Sequence, residues 1–350
     1  MTILDDFASK LLLVAEFYLH PLDQQHALLD LRRRHCVRMQ SASGFLEARR
    51  PEPLPEVRAE EATPEVFLKM TDRLRRPLVV RGYAKDAKAT RLWSLNYFEE
   101  QFGSSSYPVV ADSGAEDPIT KRTRFEKISV REMVEYIRAG EGHRYIANLT
   151  RIFTDHPTLI DDMEIGRLPR LWGGAEGPEC FDAINMFMGG HGTGSNMHCA
   201  FASNFFNNIV GRKRWVFIDP QYSNYLLPMP SRPFIYSDVL FDPGDDELGR
   251  FTRLLPSYEV VLEPGDVLYN APWWWHRVEN VDDFTVGCAV RYSNLPADLS
   301  NNLLFTLLCQ EHKLQLLKLR FRAKKAIFGD HRIFRDVLNE KLDSKIYEAS

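Results

Sequence analysis

The chain has 350 residues, of which 44% are hydrophobic and 26% charged, and its formal net charge is −4 at pH 7. This length and apolar content suffice to bury a substantial core, either as one large domain with helical extensions or as two domains. The mildly acidic balance argues against nucleic acid as a partner, because binding nucleic acid requires a basic surface.

The cysteines and the N-terminus indicate a protein of the cytoplasm. The five cysteines are odd in number and form no C-x-x-C pair, which favours a reduced protein over a disulfide scaffold. The chain begins with acidic rather than basic residues, unlike a secretory signal. No run approaches the roughly 20 uncharged apolar residues of a membrane-spanning helix, so no membrane partner is expected.

The first 150 residues predict helices that lead into short strands. Apolar positions recur at helical spacing over residues 3–40, and Pro21 divides them into two helices because proline is costly inside a helix. Residues 50–65 are rich in proline and acids, which is typical of a surface linker. The elements predicted next are a helix beginning at Thr63–Pro64, a strand over 77–82, a helix over 128–139 capped by Ser129, and a strand over 144–149.

Residues 182–293 predict an all-β unit. Short apolar and aromatic runs alternate with loops rich in proline and glycine, which is the pattern of a sandwich or closed barrel. The predicted strands are 183–188, 204–209, 214–218, 259–262, 267–269, 277–281 and 285–292. The last fifty residues return to a helical pattern with leucines along one face.

Two histidines lie on this strand-like background. His198 stands in S-N-M-H-C-A and His276 in P-W-W-W-H-R-V, 78 positions further on, so that only a fold can bring them together. A lone histidine in an apolar strand is more often a core residue than a ligand. The surrounding motifs therefore decide how the two are interpreted.

Those motifs resemble the JmjC branch of the Fe(II)/2-oxoglutarate oxygenases, and especially its asparaginyl hydroxylases. The resemblance rests on N-F-F-x-x-I-x-G-x-K-R over 204–214, then P-G-D-V-L-Y, then P-W-W-W-H-x-V-E, and runs from about residue 67 to about residue 294. It implies a mainly β fold with flanking helices, built on a double-stranded β-helix of the jelly-roll or cupin type. The implied division is a helical segment and linker over 1–64, an α/β lead-in over 65–181, a barrel core over 182–295 and a helical extension over 296–350.

The same resemblance implies an iron site that lacks one ligand. The family holds Fe(II) with His-x-Asp/Glu and a distant histidine; His198 and His276 match the two histidines, and Ala200 stands at the carboxylate position. Alanine has no ligating atom. Because side chains alternate along a strand, Cys199 should point away from the face of His198 and Ala200 and cannot replace the carboxylate.

The positions that hold 2-oxoglutarate in the family keep suitable chemistry. Lys213 matches the lysine that pairs with the distal carboxylate, and a lysine inside an aromatic strand is costly unless an anion accompanies it. Ser195 and Tyr145 match hydroxyl groups that bind the same carboxylate, and Asn204 matches an asparagine near the metal and co-substrate.

The missing carboxylate predicts a halogenase. A chloride or bromide beside Ala200 would replace both the space and the charge of the carboxylate, as the resemblance to Fe(II)/2-oxoglutarate halogenases of another branch implies. With O2, such an enzyme decarboxylates 2-oxoglutarate and transfers the halide to an unactivated C–H bond. Two alternatives stay open: a JmjC-type hydroxylase with an altered or engineered metal site, which would use water or a carboxylate such as Asp182 or Asp219, and a catalytically silent 2-oxoglutarate-binding pseudoenzyme.

The sequence predicts partners only by class. The expected substrate is a small molecule, an amino acid or a peptide, selected by the segment 221–253 above the barrel mouth. The C-terminal helices either cover the barrel or form a homodimer, as they do in similar family members.

Overall fold

The fold is given by a computed structural model that describes residues 3–19, 27–45, 47, 49–111, 125–140, 143–229, 235–237 and 253–308. Its α-helices are α1 (Ile3–Leu19), α2 (Ala27–Ser41), α3 (Pro64–Met70), α4 (Lys88–Leu92), α5 (Leu95–Phe102), α6 (Val130–Arg138), α7 (Arg151–Asp155), α8 (Thr158–Asp162), α9 (Leu295–Asn301) and α10 (Leu303–Leu308). Its β-strands are β1 (Glu52–Pro53), β2 (Glu56–Arg58), β3 (Leu78–Arg81), β4 (Ser106–Val110), β5 (Phe125–Ser129), β6 (Tyr145–Leu149), β7 (Ala183–Gly189), β8 (Gly194–Cys199), β9 (Ser203–Val210), β10 (Lys213–Ile218), β11 (Pro228–Met229), β12 (Ile235–Ser237), β13 (Ser257–Leu262), β14 (Val267–Asn270), β15 (Trp275–Asn280) and β16 (Thr285–Tyr292).

The described strands form two sheets. One has seven strands in the order β1-β13-β10-β15-β8-β12-β11, and the other has nine in the order β2-β3-β14-β9-β16-β7-β6-β4-β5. Each contains a block of four antiparallel strands, β13-β10-β15-β8 and β14-β9-β16-β7. Eight strands divided in this way between two sheets are a jelly roll, which confirms the predicted fold class.

The two sheets pack face to face over an aromatic core. Phe206 of β9 and Trp215 of β10 meet with ring centroids 4.9 Å apart, so side chains of opposite sheets interdigitate. Gly287 makes this contact possible, because a Cβ there would lie 2.3 Å from the ring of Phe206. The buried core extends from Leu54 to Val290, so the strands of the lead-in share it with the barrel.

The predicted helix starts are confirmed by their caps. Thr63 accepts a hydrogen bond from the backbone N–H of Val66, with Pro64 in the first turn, and Ser129 forms a capping box with Glu132. Each such cap satisfies amide groups that have no partner inside the helix.

The N-terminal helices pack on the outside of the seven-stranded sheet. Arg32 of α2 forms a buried ion pair with Glu16 of α1 and also donates to the carbonyl of Pro228 in β11. Pro21 lies outside the described residues, between the end of α1 and the start of α2. Of the C-terminal helical pattern, α9 and α10 are described and everything after residue 308 lies outside.

The residues around His198 were expected to lie on a strand, but the bounds of β8 were not predicted. Its residues, G-S-N-M-H-C, are polar and lack the β-branched side chains that favour strands; pairing with β15 and β12 decides their conformation. No helix in the part of the chain that the structure describes is long and apolar enough to cross a membrane.

Candidate active site

His198 and His276 are neighbours on adjacent strands. The register of β8 and β15 pairs them directly, and their ring centroids are 4.2 Å apart. Directly paired residues of antiparallel strands share a face, so both imidazoles point into the barrel. The register shifts just beyond this pair, between His276 and Val278, and such bulges are frequent beside active sites because they re-aim side chains.

Both imidazoles are held in the same tautomer. The Nδ1 of His198 lies 2.7 Å from the carbonyl oxygen of Asn196, and the Nδ1 of His276 lies 2.9 Å from that of Trp274. A carbonyl only accepts, so each Nδ1 carries the proton and each Nε2 keeps its lone pair. Burial lowers the pKa of His198 to about 4, and burial together with the neighbouring His198 lowers the pKa of His276 well below its usual range. Both rings are therefore neutral at pH 7.

Ala200 follows directly after β8 and is 9% exposed. Its carbonyl accepts a hydrogen bond from the backbone N–H of Trp273 at 2.8 Å, which fixes the chain next to the histidine pair. Cys199 is fully buried in the cluster on the outer face of this sheet, packed with residues of α1 and α10, as the alternation along the strand predicted.

Among the described residues, no third ligand joins the two histidines. Within the described residues, no group of three or more His, Cys, Asp or Glu is placed to hold a metal ion. Asp182 accepts from the backbone N–H of Ser293 at 2.7 Å, and Asp219 caps the short helix Pro220–Tyr225. Both carboxylates therefore have structural roles, and neither completes a ligand group with the two histidines among the described residues.

Lys213 forms a polar cluster at one end of the barrel. It is 0% exposed, and its Nζ donates to Asn280 Oδ1 and, at 3.0 Å, to Thr285 Oγ1. Asn280 in turn donates to Thr193 Oγ1 at 2.8 Å. These partners are neutral, and burial lowers the pKa of the Lys213 amine to about 7.

Tyr145 and Gly189 line the same end. The Nζ of Lys213 lies 5.9 Å from the centroid of the Tyr145 ring, and Tyr145 pairs with Gly189 across β6 and β7. A Cβ at Gly189 would lie 2.4 Å from Thr193 Oγ1 and 2.8 Å from Tyr145 Cδ2. The glycine therefore keeps space open between the tyrosine and the lysine cluster.

Ser195 and Asn204 lie on opposite sheets. Ser195 pairs with Val278 of β15, and this is the first residue pair beyond the histidine pair, on the far side of the register shift. Asn204 pairs with Asn270 of β14, and the Nδ2 of Asn270 lies 3.4 Å from both ring nitrogens of His276. The Oδ1 atoms of Asn204 and Asn270 are buried without a hydrogen-bond partner among the described residues.

The sequence profile described as a cupin-like domain matches residues 64–298, which is well over half of the chain. The chain belongs to the cupin-like JmjC family. This membership agrees with the jelly roll and with the resemblance drawn from the motifs around His198 and His276. Iron(II) and 2-oxoglutarate are the cofactors general to JmjC members of this family.

Relatives of this chain share about one quarter of its residues over the aligned regions. It is 26% identical over 195 residues to Jumonji C domain-containing protein 5 of Drosophila melanogaster, covering 53% of this chain and 47% of that protein. It is 26% identical over 240 residues to lysine-specific demethylase 8 of Xenopus tropicalis, covering 65% and 52%. It is 25% identical over 260 residues to tRNA wybutosine-synthesizing protein 5 of Homo sapiens, covering 70% and 80%. The chain thus spans about half the length of the first two relatives.

Several residues that contact Lys213 or the two histidines were not predicted from the sequence. Asn280 could have been found, because positions 276, 278 and 280 alternate onto one face of β15. Thr285 and Asn270 carry no sequence signal. Two aromatic rings also pack on the histidines: Tyr236 stacks on His198 with centroids 5.3 Å apart, and Trp215 stacks on His276 at 5.5 Å.

Proposed function

We propose that this protein is an Fe(II)/2-oxoglutarate-dependent halogenase that uses His198, His276 and a chloride or bromide beside Ala200. The observation that carries the proposal is a pair of neutral imidazoles that face each other with alanine where the family supplies a carboxylate. The alternatives have the same barrel. The hydroxylase would fill the ligand position beside Ala200 with water or another carboxylate, and the pseudoenzyme would carry out no catalysis there.

The histidine pair suits iron(II) by its donor chemistry. Each Nε2 keeps a lone pair, and each Nδ1–H is fixed by a backbone carbonyl, the arrangement common among metal-binding histidines. Bound iron(II) supplies the oxidative chemistry that couples decarboxylation of 2-oxoglutarate to attack on a C–H bond. With neutral imidazoles and no carboxylate beside them in the described part of the chain, an external halide restores the missing negative charge and occupies the volume that a carboxylate would take above the Ala200 methyl.

The Lys213 cluster suits a dianionic co-substrate. We assign the distal carboxylate of 2-oxoglutarate to Lys213, Tyr145 and Ser195, and the keto-acid end to the neighbourhood of Asn204. A buried amine with a pKa near 7 holds its charge only weakly by itself, and a carboxylate beside it stabilises the ammonium form.

The proposed reaction balances without another redox partner. One 2-oxoglutarate and one O2 give succinate, CO2 and water. The substrate hydrogen and one proton leave in that water, and the halide takes the place of the hydrogen on carbon.

The test measures conversion of 2-oxoglutarate to succinate by the iron-loaded protein in chloride, in bromide and in a halide-free sulfate buffer. Halide-dependent turnover, a halogenated product and bromide density beside Ala200 are expected. An Ala200→Asp variant should lose the halide dependence, because its carboxylate fills the gap. Halogenation that persists unchanged in that variant would contradict the proposal.

The names of the relatives favour an oxygenase without halide as the second candidate. Two of the proteins above are named as a demethylase and as a tRNA-modifying enzyme, which brings protein side chains and tRNA into consideration as substrates. Equal turnover with and without halide supports this candidate. Absence of iron binding, with 2-oxoglutarate still bound, supports the pseudoenzyme.

A homodimer through the C-terminal helices belongs to the same proposal. Leu295 and Leu299 of α9 and Leu303 and Leu307 of α10 are exposed at intervals of four residues, so a second copy could cover them. Light scattering on the full chain should give twice the monomer mass of 40.5 kDa. Exchanging Leu303 and Leu307 for serine should return the monomer mass.

A further inference from the structure

Asn280 meets Lys213 across the two strands that carry them. The register of β10 and β15 pairs these residues directly, and both side chains are fully buried. The Nζ of Lys213 donates to Asn280 Oδ1 and, at 3.0 Å, to Thr285 Oγ1. Both acceptors are neutral side chains, whereas a fully buried lysine is usually paired with an acid. The choice of an amide at position 280 therefore calls for an explanation.

The direction of the Asn280 amide is fixed at its other end. Its Nδ2 donates to Thr193 Oγ1 at 2.8 Å, and the hydroxyl of Thr193 donates onward to the carbonyl of Gly190 at 2.7 Å. Because the single hydroxyl hydrogen of Thr193 is given to that carbonyl, Thr193 accepts from Asn280. The Oδ1 of Asn280 is therefore the atom that faces Lys213.

Thr285 is oriented in a similar way. It pairs with Gly189 across β16 and β7, and its hydroxyl donates to the Gly189 carbonyl at 3.4 Å. The lone pairs of its oxygen are then directed to Lys213. Both acceptors around Lys213 thus take their direction from backbone carbonyls at the end of β7, and neither brings a negative charge.

Two acceptors match the Lys213 amine in its neutral form. A neutral amine has two hydrogens, whereas an ammonium group has three, and burial lowers the pKa of Lys213 to about 7. Asn280 and Thr285 can accept both hydrogens of the neutral amine. The third hydrogen of the charged form needs another acceptor, and a ligand carboxylate beside Lys213 would supply both that acceptor and the missing negative charge.

We propose that Asn280 is a specificity-determining residue, because its neutral and oriented oxygen leaves the charge of Lys213 to be balanced by the ligand. An aspartate of the same shape would form a permanent buried ion pair and remove the need for an anionic ligand. Asn280 thereby selects 2-oxo acids with a distal carboxylate over those with an apolar end. This role rests on the proposed assignment of 2-oxoglutarate to Lys213, but not on halogenation.

The experiment compares two 2-oxo acids of equal chain length. 2-Oxoglutarate and 2-oxopentanoate, which has a methyl group in place of the distal carboxylate, are titrated by calorimetry into the full chain, with Fe(II) under nitrogen and without metal. The wild-type chain should bind 2-oxoglutarate about 10- to 100-fold more tightly, as expected for a charge-assisted hydrogen bond. Asn280→Asp should nearly abolish this preference, because its carboxylate pairs with Lys213 and Thr193 can turn its hydroxyl to donate to it.

Two further variants separate charge from shape. Asn280→Ala removes the oriented acceptor without adding charge, so it should weaken 2-oxoglutarate binding by up to about tenfold and still retain the preference. Asn96→Asp makes the same amide-to-carboxylate change on the surface of α5, where Asn96 accepts from Arg138 at 2.6 Å. It should leave both affinities unchanged.

A second readout requires no ligand. The stability of the wild-type chain should rise between pH 7 and 10.5, because the lowered pKa of Lys213 leaves the folded chain with fewer bound protons than the unfolded chain. In Asn280→Asp the new carboxylate raises the pKa of the folded amine, so this rise should disappear. Denaturant unfolding at a series of pH values measures the difference.

Equal binding of the two acids to the wild-type chain, or binding of neither, overturns the role of Asn280. So does an undiminished preference in Asn280→Asp; if that preference is lost in Lys213→Met, the assignment of 2-oxoglutarate to Lys213 still stands. Circular dichroism checks the fold of each variant. If Asn280→Asp does not fold, Asn280→Ala decides, since an unchanged 2-oxoglutarate affinity there also excludes Asn280. Halide-dependent turnover is measured separately, so failure of the halogenase proposal remains distinguishable.

Discussion

The end of the barrel around Lys213, called here the lysine end, differs from the end around His198 and His276, called the histidine end, in whether its polar groups have partners. At the lysine end, Lys213, Asn280, Thr285 and Thr193 satisfy one another through hydrogen bonds, and Gly189 keeps space beside them. At the histidine end, no carboxylate of the described residues joins the two neutral imidazoles, and nearby asparagine oxygens lack partners among the same residues.

This difference indicates that the two ends serve their ligands differently. The lysine end is complete in the absence of ligand, so an anion would displace or join existing hydrogen bonds. On the proposed assignment, the histidine end lacks one protein ligand and takes an anion from solution. Four changes test whether the ends really are separate in this way.

The largest expected effect comes from removing one proposed metal ligand. His276→Ala should weaken Fe(II) binding by more than about 100-fold, because loss of a partner around a ligand already costs 10- to 100-fold. Calorimetric titration with Fe(II) under nitrogen measures it. His191→Ala is the matched control, since His191 is an exposed loop residue bonded to the Val281 carbonyl. Equal Fe(II) affinity in both variants would contradict the assignment of His276 as an iron ligand.

Removing the cation at the lysine end should weaken 2-oxoglutarate binding and leave iron binding unchanged. Lys213→Met should lower 2-oxoglutarate affinity roughly 100-fold, the contribution of a charge-assisted hydrogen-bonded pair. The melting temperature of the free protein should hold or rise, since the variant no longer buries an amine. Thermal shifts with and without 2-oxoglutarate measure both effects, and Lys127→Met on the exposed face of β5 is the control. An undiminished ligand-induced shift in Lys213→Met contradicts the assignment.

Filling the space at Gly189 should affect only the lysine end. Gly189→Ala puts a Cβ against Thr193 and Tyr145, so it should cost about 1–3 kcal/mol of unfolding free energy and weaken 2-oxoglutarate binding. Gly190→Ala is the control, because the nearest atom to its Cβ is the Asp283 carbonyl oxygen at 3.4 Å. Denaturant unfolding measures the difference, and equal midpoints for the two variants would argue against a tight pocket.

The two ends should also respond to pH in different windows. Burial lowers the pKa of Lys213 from 10.5 to about 7, so between these values the unfolded chain holds a proton that the folded chain lacks. This group therefore adds stability as pH rises from 7 to 10.5, by up to about 1.4 kcal/mol per pH unit. The pKa of His198 is lowered in the same way, to about 4. This group therefore also adds stability as pH rises, but in the lower window from about 4 to 6.5.

Binding of 2-oxoglutarate should follow the lysine window. Above pH 7 the dianion has to draw a proton onto Lys213, so affinity should fall by up to about tenfold per pH unit. Calorimetry in buffers of different ionisation enthalpy counts that proton. Lys213→Met should show neither the proton uptake nor the stability slope, and a slope that persists there would assign it to another group.

Local patterns explain why much of the barrel was predictable. The strands around Phe205, Trp215 and Val286 combine β-forming residues with turn residues at both ends, and the structure confirms them within one or two positions. Thr63 and Ser129 made the starts of their helices predictable, because a capping hydrogen bond involves residues within four positions of each other. The strand character of β8 was expected from the residues around His198, but its bounds were not, because they are set by pairing with β15 and β12.

The sequence by itself determined which side chains were available: two histidines with an alanine two positions after the first, and a lysine among aromatics. Only the tertiary structure decided that His198 and His276 meet and that Asn280 and Thr285 hold Lys213. The physical reason is that side-chain alternation along a strand is a local property of the chain. The register between strands, by contrast, is fixed by packing among residues that are far apart in sequence.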